Sequence, residues 1–469
     1  MPIGHVLREL MEAPRIIITG LRGGAGKTLL ALGLTRALHG MGTPVKPYKK
    51  GPDYIDAAWL ARAALYSCTN LDPFFLSGER LRALVAHTLP VGRCAVIEGN
   101  RGLFDGRDVE GSCSTAELAR VLDCPVLLSL DCTKMTRTAA AVVAGLAHFE
   151  PGVPLAGVVL NHVASERHES IVRRAIETYT DVPVLGALPR LRRNPLPERH
   201  MGLTDCTDTL AVDAVLEQLA ALVRTHVDIS RVSETTRGAA PLPAAAPFWP
   251  VAPVCPVARP RIGYVRDAAL WFYYDENLEA LRRAGAELVE LSLLSDSPWP
   301  KLDGLYLGGG FPEELAETLS CSPHLGELRA LSERNVPLYA ECGGFMVLAQ
   351  AIVRDGREYP MAGVFPVRAE FHAAPQGLGY VEATVMSDNP FHPTGAVLRG
   401  HEFHYSRCLS ESDDVTPRVL RLHMGKGMGG GEDGLLIRNT FAAYMHCYAP
   451  SMPHWAERFA AMARTCNPD

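Results

Sequence analysis

The chain has 469 residues, of which 47% are hydrophobic and 21% are charged, a composition typical of water-soluble globular proteins. This length exceeds what one hydrophobic core usually supports, so we expect at least two domains. The net charge of −6 gives no support for nucleic acid or an anionic membrane as partner, and no apolar run approaches the roughly 20 residues that span a bilayer.

Cysteine usage and the N-terminus favour a cytoplasmic protein. Twelve cysteines are too dilute for a disulfide scaffold, and the chain has no C-x-x-C pair of the zinc-ribbon kind. The stretch HEFH (residues 401–404) is one residue shorter than the HExxH zinc motif. The first residues lack a basic segment followed by a long apolar core, so we expect no secretory signal.

The first predicted strand, residues 15–19, leads into the glycine-rich stretch GLRGGAGKT (residues 20–28). A helix is predicted next, at residues 29–38, because its leucines recur at helical spacing. Strand, glycine turn and helix form the P-loop arrangement, in which backbone N–H groups and the helix N-terminus bind a polyphosphate. The spacing is one residue longer than the usual pattern, as in dethiobiotin-synthetase-like proteins. We therefore predict binding of ATP by Gly23, Gly24, Ala25, Gly26, Lys27 and Thr28, with Lys27 on the β/γ-phosphates and Thr28 on Mg²⁺.

Short apolar strands continue to alternate with helical patterns up to about residue 225. The further strands are predicted at residues 45–48, 94–98, 126–130, 156–160 and 184–187. Such alternation predicts an α/β fold with a parallel sheet covered on both faces. Ligands then bind beyond the carboxyl ends of the strands.

Acidic residues follow two of these strands. In KKGPDYID (residues 49–56) the Gly-Pro turn brings Asp53 and Asp56 together, and EGNRGLFDG (residues 98–106) carries Glu98 and Asp105. An acid at a strand end beside a P-loop is well placed for Mg²⁺, directly or through water. An isolated acid is more often a helix cap or a solvated loop residue, but four acids at one sheet edge favour the metal.

Two features concern the nucleotide base. Asn161 directly follows the strand at residues 156–160, where it is either an amide that pairs with adenine or a turn former. Pro189-Arg190 follows the next strand and borders the expected base position.

The motifs GLRGGAGKT, KKGPDYID, EGNRGLFDG and VVLNHV (residues 158–163) stand in the order found in cobyrinate a,c-diamide synthases, and the chain resembles that family over nearly its whole length. The resemblance implies a dethiobiotin-synthetase-like domain that uses ATP to phosphorylate a tetrapyrrole carboxylate. By motif position it places Asp53, Tyr54, Ile55 and Asp56 on a substrate- and nucleotide-side loop. It makes Glu98 and Asp105 the metal and catalytic acids, so that the expected Mg²⁺ ligands are Thr28, Asp53 and Glu98.

The chain departs from this family at Asn100-Arg101, where many members have Val-Met. The additional cation beside the substrate leaves open the same reaction on sirohaem or on a nickel or metal-free sirohydrochlorin-type tetrapyrrole.

A change of composition separates two halves. Residues 231–260 are rich in proline and nearly uncharged, which predicts a semi-rigid extended linker. The boundaries are thus 14–230 for the P-loop domain, 231–260 for the linker and 261–465 for the second domain. Phe248 and Trp249 are expected to dock on one of the domains, since an exposed aromatic pair would be unusual.

The second half begins with strands at residues 261–265 and 287–291, separated by a helix at residues 278–284. DGLYLGGGFPE (residues 303–313) is a strand that runs into a triple-glycine turn. VPLYAECGGFMVLA (residues 336–349) is a strand, a sharp turn at Cys342 and a helix. Glycines after the cysteine permit strained backbone and close approach of a substrate. We expect a favoured thiolate there, because a thiol at a helix N-terminus has a lowered pKa.

This arrangement resembles the nucleophile elbow of class I glutamine amidotransferases, and the triple-glycine turn is similar to their oxyanion loop. The resemblance implies an oxyanion site at the N–H groups of Gly309, Gly310 and Gly343, and it makes His446 the base. These enzymes typically carry a Glu two residues after the His, where this chain has Tyr448. Glu402 is the first candidate for an orienting acid, with a backbone carbonyl or another carboxylate as alternatives.

The predicted reaction joins the two halves. L-Glutamine is hydrolysed through a thioester on Cys342, ammonia passes internally, and it amidates a carboxylate that ATP has phosphorylated. The family implies the a and c acetates of cobyrinate as the substrate groups. A different class of protein, a P-loop switch ATPase with an inactive glutaminase-like domain, typically has a Lys where Arg22 stands and lacks the cysteine elbow. A catalytically dead glutaminase domain acting as a scaffold would make amidation depend on free ammonia. The sequence leaves a homodimer open.

Overall fold

A computed structural model of the chain describes residues 13–196, 198–199, 202–203, 209–242, 245–250, 259–410, 416–452 and 454–465. The chain divides into two units, Met1–Pro250 and Val251–Asp469.

The first unit alternates strands and helices. Its strands are β1 (Arg15–Gly20), β2 (Val45–Lys50), β3 (Thr69–Leu71), β4 (Cys94–Glu98), β5 (Val126–Asp131), β6 (Leu155–Val163), β7 (Val184–Pro189), β8 (Glu198–Arg199) and β9 (Gly202–Leu203). Its helices are α1 (Lys27–Gly40), α2 (Ile55–Ala64), α3 (Gly78–Thr88), α4 (Thr115–Val121), α5 (Thr138–Phe149), α6 (Glu166–Tyr179), α7 (Thr209–His226) and α8 (Ile229–Arg237).

Seven of these strands form one sheet in the order β3-β2-β4-β1-β5-β6-β7, and every neighbouring pair is parallel. The six predicted strands are all present, and most extend one to three residues further. β3 was not predicted because its three residues are too short to show a period. Apolar cores lie on both faces: α1, α2 and α7 pack on one face, and α5 and α6 on the other. β1 lies near the middle, so the loop after it opens at the centre of the carboxyl edge.

The second unit carries most of the strands. They are β10 (Arg261–Val265), β11 (Leu270–Phe272), β12 (Glu287–Leu291), β13 (Gly304–Leu307), β14 (Gly309–Gly310), β15 (Leu338–Glu341), β16 (Ala351–Arg354), β17 (Arg357–Pro360), β18 (Val367–Phe371), β19 (Gly377–Val385), β20 (Val397–His404), β21 (Ser406–Ser410), β22 (Arg418–Met424), β23 (Glu432–Ile437), β24 (Thr440–Ala443) and β25 (His446–Cys447). Its helices are α9 (Asp275–Arg283), α10 (Ala316–Ser320), α11 (His324–Glu333), α12 (Gly343–Leu348) and α13 (Trp455–Thr465), with 3₁₀ turns at Pro312–Leu315 and Ala449–Ser451.

A ten-stranded mixed sheet organises this unit, in the order β12-β10-β13-β15-β24-β23-β22-β19-β20-β25. The first five strands are parallel, as the sequence predicts for an α/β fold, and the remaining strands are antiparallel. β15 ends directly before Cys342, and β25 pairs with β20 through His401 opposite His446.

The region between the two halves differs from the predicted linker at its start. α8 occupies its first seven residues, because SETTR carries no proline and the prolines begin only at Pro241. Residues 243–244 and 251–258 of the predicted linker lie outside the described residues. Phe248 docks on the first unit as predicted: its ring lies 4.6 Å from the Arg80 guanidinium, and its carbonyl accepts a 2.7 Å hydrogen bond from the same side chain. Among the described residues no helix is long and apolar enough to cross a bilayer.

Candidate active sites

The predicted P-loop turns sharply at Gly26, which caps α1 with φ of 83°. A Cβ on Gly26 would lie 2.0 Å from Asn161 Nδ2, so this position requires glycine for both its conformation and its space. The loop is fastened to the sheet through the carbonyl of Ala25, which accepts hydrogen bonds from Ser129 Oγ (2.9 Å) and Asn161 Nδ2 (3.3 Å).

A cavity of about 200 Å³ opens beside this loop. Gly23 and Gly24 are exposed on the loop, with nothing near their missing Cβ atoms. The cavity is lined by Gly24, Gly26, Lys27, Thr28, Leu29, Asn161, His162, Leu188, Pro189, Leu191, Asn194, Leu196 and Leu222. The lining thus combines polar loop groups with leucines, which suits a phosphate chain and an aromatic base.

Asn161 and Pro189 both lie in the wall of this cavity, as predicted for residues near the base. The Asn161 amide donates to Ala25, and its oxygen accepts from the N–H of His162 at 2.9 Å. Asn161 therefore fixes local backbone like a turn former and still faces the space where a base would lie. The adenine contact remains a prediction.

Lys27 and Thr28 begin α1 and point to the sheet edge. The Lys27 ammonium donates to the carbonyl of Arg22 at 3.0 Å, and burial of Lys27 lowers its pKa. The Thr28 hydroxyl donates to Glu98 Oε1 at 2.5 Å. The predicted phosphate-binding residues and the predicted metal acid therefore meet at one place.

Lys49 joins three of the predicted acids into a cluster at the ends of β2 and β4. Its ammonium lies 2.5 Å from Asp56 Oδ2 and 3.2 Å from Glu98 Oε2, and the Asp53 carboxylate accepts the N–H of Asp56 at 2.9 Å. Lys49 and Glu98 are 2% and 0% exposed. Lys49 stands within the KKGPDYID motif but was not predicted as a site residue. The signal for a buried Lys49 was the alternation of side chains along β2, which places Val45, Pro47 and Lys49 on the face that packs on α1 and α2.

The charges of this cluster perturb one another. Burial raises the pKa of Asp53 to about 7, and the Asp56 charge adds to that effect. Burial likewise raises the pKa of Glu98, against the opposing effect of Lys49. Burial opposes the charge of Lys49, but Asp56 and Glu98 outweigh it and raise the pKa of that ammonium. Three carboxylates around one lysine leave negative charge that a further cation would neutralise.

Mg²⁺ fits this donor set. Among the described residues no three His, Cys, Asp or Glu side chains are grouped as a complete metal site. Mg²⁺, however, usually takes only one or two carboxylates and completes its shell with water and phosphate oxygens. Thr28 Oγ1 and Glu98 Oε1 are adjacent and could serve. Asp53, the third predicted ligand, accepts the N–H of Asp56, and its binding of Mg²⁺ stays a prediction.

The remaining predicted residues of this site are nearby but less central. The exposed Asp105 accepts the N–H of Gly102 at 2.9 Å, and its charge acts on Lys27. Tyr54 is half buried directly before α2, and Ile55 packs against the hydrophobic core. Arg101 is exposed with φ of 52°, on the loop that follows β4.

The second site centres on Cys342, which lies between β15 and α12 in a strained conformation with φ of 47° and ψ of −100°. A non-glycine residue at positive φ is uncommon and requires support from its surroundings. Here the Cys342 N–H donates to the carbonyl of Ala443 at 2.7 Å, and its Sγ lies 3.6 Å from the carbonyl of Phe403. This strand–turn–helix geometry is that of a nucleophile elbow.

The predicted oxyanion glycines come together beside this elbow. A Cβ on Gly343 would lie 3.0 Å from the N of Gly310, and one on Gly309 would lie 2.3 Å from His446 Cε1. The N–H of neighbouring Gly308 is already used, because it donates to the Tyr273 hydroxyl at 2.8 Å.

The prediction of a thiolate at Cys342 is wrong. The side chain is 3% exposed within the hydrophobic core, and burial raises its pKa well above the usual value. The nearby Glu313 carboxylate adds to the effect, and the N–H of Gly343 opposes it only in part. α12 has only six residues, so its dipole does not offset the cost of burying a thiolate. The thiol must therefore lose its proton during attack on a substrate.

His446 is fully buried on β25, and its ring stacks on that of His401 at 4.7 Å between centroids. The prediction that Glu402 orients His446 is wrong. Glu402 lies 3.4 Å from His404 Nε2 and accepts the N–H groups of Lys426 and Gly427. Successive side chains of β20 point to opposite faces, so Glu402 cannot share the face of His401.

The carboxylate next to His446 belongs to Glu341, whose Oε2 lies 3.5 Å from His446 Nδ1. Glu341 was not predicted from the sequence. Its position directly before the nucleophile was the available signal, but its contact with His446 depends on the tertiary structure, in which the chain continues from β24, the neighbour of β15, into β25.

Comparisons with known proteins match both units. Residues 16–203 match a family model described as the CobQ/CobB/MinD/ParA nucleotide binding domain, and residues 261–453 match one described as the CobB/CobQ-like glutamine amidotransferase domain.

Full-length relatives also match. The chain is 41% identical to a cobyrinate a,c-diamide synthase of Magnetococcus marinus, over 96% of this chain and 97% of that protein. Synthases of the same name from Dehalococcoides mccartyi and Archaeoglobus fulgidus are 38% and 36% identical, over 97% of this chain and 99% and 98% of theirs.

Proposed function

The chain belongs to the family of cobyrinate a,c-diamide synthases, and on that premise we propose that its two units carry the two halves of one glutamine-dependent amidation. As a member, it is a glutamine-hydrolysing amide ligase with a nucleotide-binding domain. We infer the following roles for individual residues from the geometry.

In the second unit, Cys342 Sγ attacks the side-chain amide carbon of L-glutamine, and the thiol proton goes to His446. We assign the tetrahedral oxyanion to the N–H groups of Gly310 and Gly343, because a Cβ on Gly343 would lie 3.0 Å from the N of Gly310, and Gly309 adjoins the base. Loss of one such donor typically costs about 3 kcal/mol of barrier height. His446 then protonates the leaving ammonia, and a water molecule hydrolyses the thioester.

In the first unit, ATP binds at the P-loop with its base towards Pro189 and Asn161. Lys27 contacts the phosphates once it leaves the Arg22 carbonyl. Bound Mg²⁺, held by Thr28 and Glu98, would neutralise charge on the β- and γ-phosphates. A substrate carboxylate attacks the γ-phosphate and forms an acyl phosphate as ADP leaves. Ammonia then displaces inorganic phosphate and loses a proton to give the amide.

Lys49 holds the acids of this site in place and supplies the positive charge nearest to them. We keep Asp53 as a substrate-side acid and Mg²⁺ ligand; it accepts the N–H of Asp56, and burial raises the pKa of its carboxyl group to about 7. Asp56 and Asp105 order the loops that border the phosphates. Because the reaction consumes ATP and glutamine, we place it in the cytoplasm.

We propose the a and c acetates of cobyrinate as the acceptors. The observation that carries the whole proposal is the elbow: a strained Cys342 beside two glycine N–H groups, in the same chain as a P-loop with a buried acid cluster. A second acceptor, sirohaem or a related sirohydrochlorin, is favoured only by Arg101, an exposed cation on the loop after Glu98.

The test is incubation of the protein with ATP, Mg²⁺ and glutamine against cobyrinate, sirohaem and nickel or metal-free sirohydrochlorin. Mass spectrometry detects each carboxyl-to-amide exchange as a loss of about one mass unit. Two exchanges on cobyrinate support the proposal, and exchange on another ring alone replaces the acceptor. Hydrolysis of glutamine without amidation of any ring contradicts the proposal.

A further inference from the structure

Glu341 is the last residue of β15 and directly precedes the nucleophile. It is fully buried, and its two carboxylate oxygens have different surroundings. Oε1 accepts hydrogen bonds from the Tyr306 hydroxyl and from the N–H of Cys447, both at 3.1 Å. Oε2 lies 3.5 Å from His446 Nδ1. One oxygen is thus anchored and the other faces the imidazole.

A second layer of hydrogen bonds fixes the anchoring groups. Asn277 Nδ2 donates to the Tyr306 hydroxyl at 3.1 Å and to the carbonyl of Cys447 at 2.8 Å. Asn277 Oδ1 in turn accepts the N–H of Ala449 at 2.7 Å. Because Tyr306 accepts from Asn277, its single hydroxyl proton is free to point at Glu341. The carboxylate is therefore held from β13, β25 and α9 at once.

Resting on the proposed glutaminase role of Cys342 and His446, we propose that Glu341 is the positioning carboxylate of that pair. It takes the place of the glutamate that such enzymes typically carry two residues after the histidine, where this chain has Tyr448. The acid comes instead from the strand that presents the nucleophile, and the hydrogen bond from the N–H of Cys447 holds it beside His446.

The chemistry follows from which imidazole nitrogen Glu341 faces. A carboxylate at Nδ1 holds the proton there, which leaves Nε2 as the acceptor for the thiol proton. The negative charge also stabilises the imidazolium that forms as Cys342 attacks. A charged partner is needed because the thiol itself stays protonated until that step.

Other titratable groups around Glu341 and His446 come from the neighbouring elements. They are His401, Tyr273, Tyr306, Tyr339, Cys342 and Cys447. Burial lowers the pKa of His401 well below its usual value and raises the pKa of each tyrosine and cysteine. None of them supplies a negative charge at neutral pH. Burial raises the pKa of Glu341 itself, but His446, the N–H of Cys447 and the Tyr306 hydroxyl oppose that rise, so Glu341 is the carboxylate on which the acid limb of the pH profile depends.

The test is Glu341→Gln in the full chain, with Glu402→Gln as matched control. Both glutamates are buried and lie 3.4–3.5 Å from a histidine nitrogen, but only Glu341 faces His446. The glutamine amide keeps the size of the side chain and removes the charge. We expect glutaminase kcat to fall at least 100-fold with KM for glutamine nearly unchanged, since the substrate does not touch this residue. The acid limb of the residual activity should shift to lower pH, because the imidazolium has lost its partner.

Amidation driven by added ammonium should remain in both variants, because it takes place in the first unit, and wild-type hydrogen exchange in peptides of β13, β15 and β20 shows that the second unit is folded. Equal loss of kcat in Glu341→Gln and Glu402→Gln, or an unchanged pH profile in Glu341→Gln, would overturn the proposal. If Glu341→Gln does not fold, Tyr306→Phe tests the same point by removing one anchor of Oε1. We expect a kcat about 3- to 10-fold lower for that variant, and wild-type kcat would count against the proposal. A wild-type chain without glutaminase activity would instead refute the proposed function itself.

Discussion

Replacement of Lys49 tests whether its charge holds the acid cluster of the first unit together. Lys49→Met keeps the length of the side chain and removes the ammonium that lies 2.5 Å from Asp56 and 3.2 Å from Glu98. Removing one partner of a buried ion pair typically destabilises a protein by about 3–5 kcal/mol. Here the acids can respond by taking up a proton, which limits the loss.

The free-energy cost of protonating a carboxylate sets this limit on the loss of stability. A glutamic acid with the ordinary pKa of 4.5 requires about 3.4 kcal/mol to protonate at pH 7 and about 0.7 kcal/mol at pH 5. Each attraction between the Lys49 ammonium and a carboxylate is about 5–7 kcal/mol at an effective dielectric constant of 20. Its loss exceeds the cost of protonating a glutamate at pH 7, so a carboxylate takes up a proton in the variant. An acid whose pKa is raised in the folded state loses stability as the pH rises above its unfolded pKa. The variant should therefore be destabilised by about 3–4 kcal/mol at pH 7 and by about 1 kcal/mol at pH 5.

Urea unfolding followed by hydrogen-exchange mass spectrometry measures this, because peptides from β2 and β4 report on the first unit alone. Lys50→Met is the matched control. Lys50 is the next residue of β2, is equally buried, points to the opposite face and forms no ion pair with any residue that the structure describes. It should lose less than about 1 kcal/mol, with little dependence on pH. A penalty for Lys49→Met that is the same at pH 5 and pH 7, or equal to that of Lys50→Met, would refute the reasoning.

Three further variants test the two sites. Cys342→Ser should abolish glutamine-dependent amidation and leave the ammonium-dependent reaction, measured by mass of the product; loss of both contradicts two separate sites. Lys27→Ala should abolish amidation from either nitrogen source and retain a weak glutaminase, measured by released glutamate; ammonium-driven product would exclude the phosphate role. Gly26→Ala should weaken ATP binding at least 10-fold by calorimetry, since a Cβ there would lie 2.0 Å from Asn161, while Gly326→Ala on α11 of the second unit meets nothing within 4 Å and should bind like wild type. Equal affinity of the two glycine variants would show that the loop does not need its observed shape.

Patterns within single elements predicted much of this protein. The parallel strands of the first unit and the elbow at Cys342 follow from apolar runs that end in glycine turns, which are local features. The antiparallel part of the second sheet was not predicted, because its strands alternate weakly and their order depends on register. The same limit explains the two residues that sequence reasoning missed. Lys49 and Glu341 each lie inside a recognised motif, but their partners come from other strands.

The thiol of Cys342 shows why local reasoning gave the wrong charge. A cysteine at a helix N-terminus favours a thiolate only if the dipole acts on an accessible sulfur. Here the sulfur is buried, and the carboxylates of Glu313 and Glu341 both oppose a second negative charge. The Glu341 carboxylate that opposes the thiolate also lies 3.5 Å from His446 Nδ1. The resting thiol is thus neutral, and it loses its proton only when the oxyanion site receives the charge. Such a site hydrolyses glutamine only when the substrate completes it, which limits reaction of the thiol with other electrophiles.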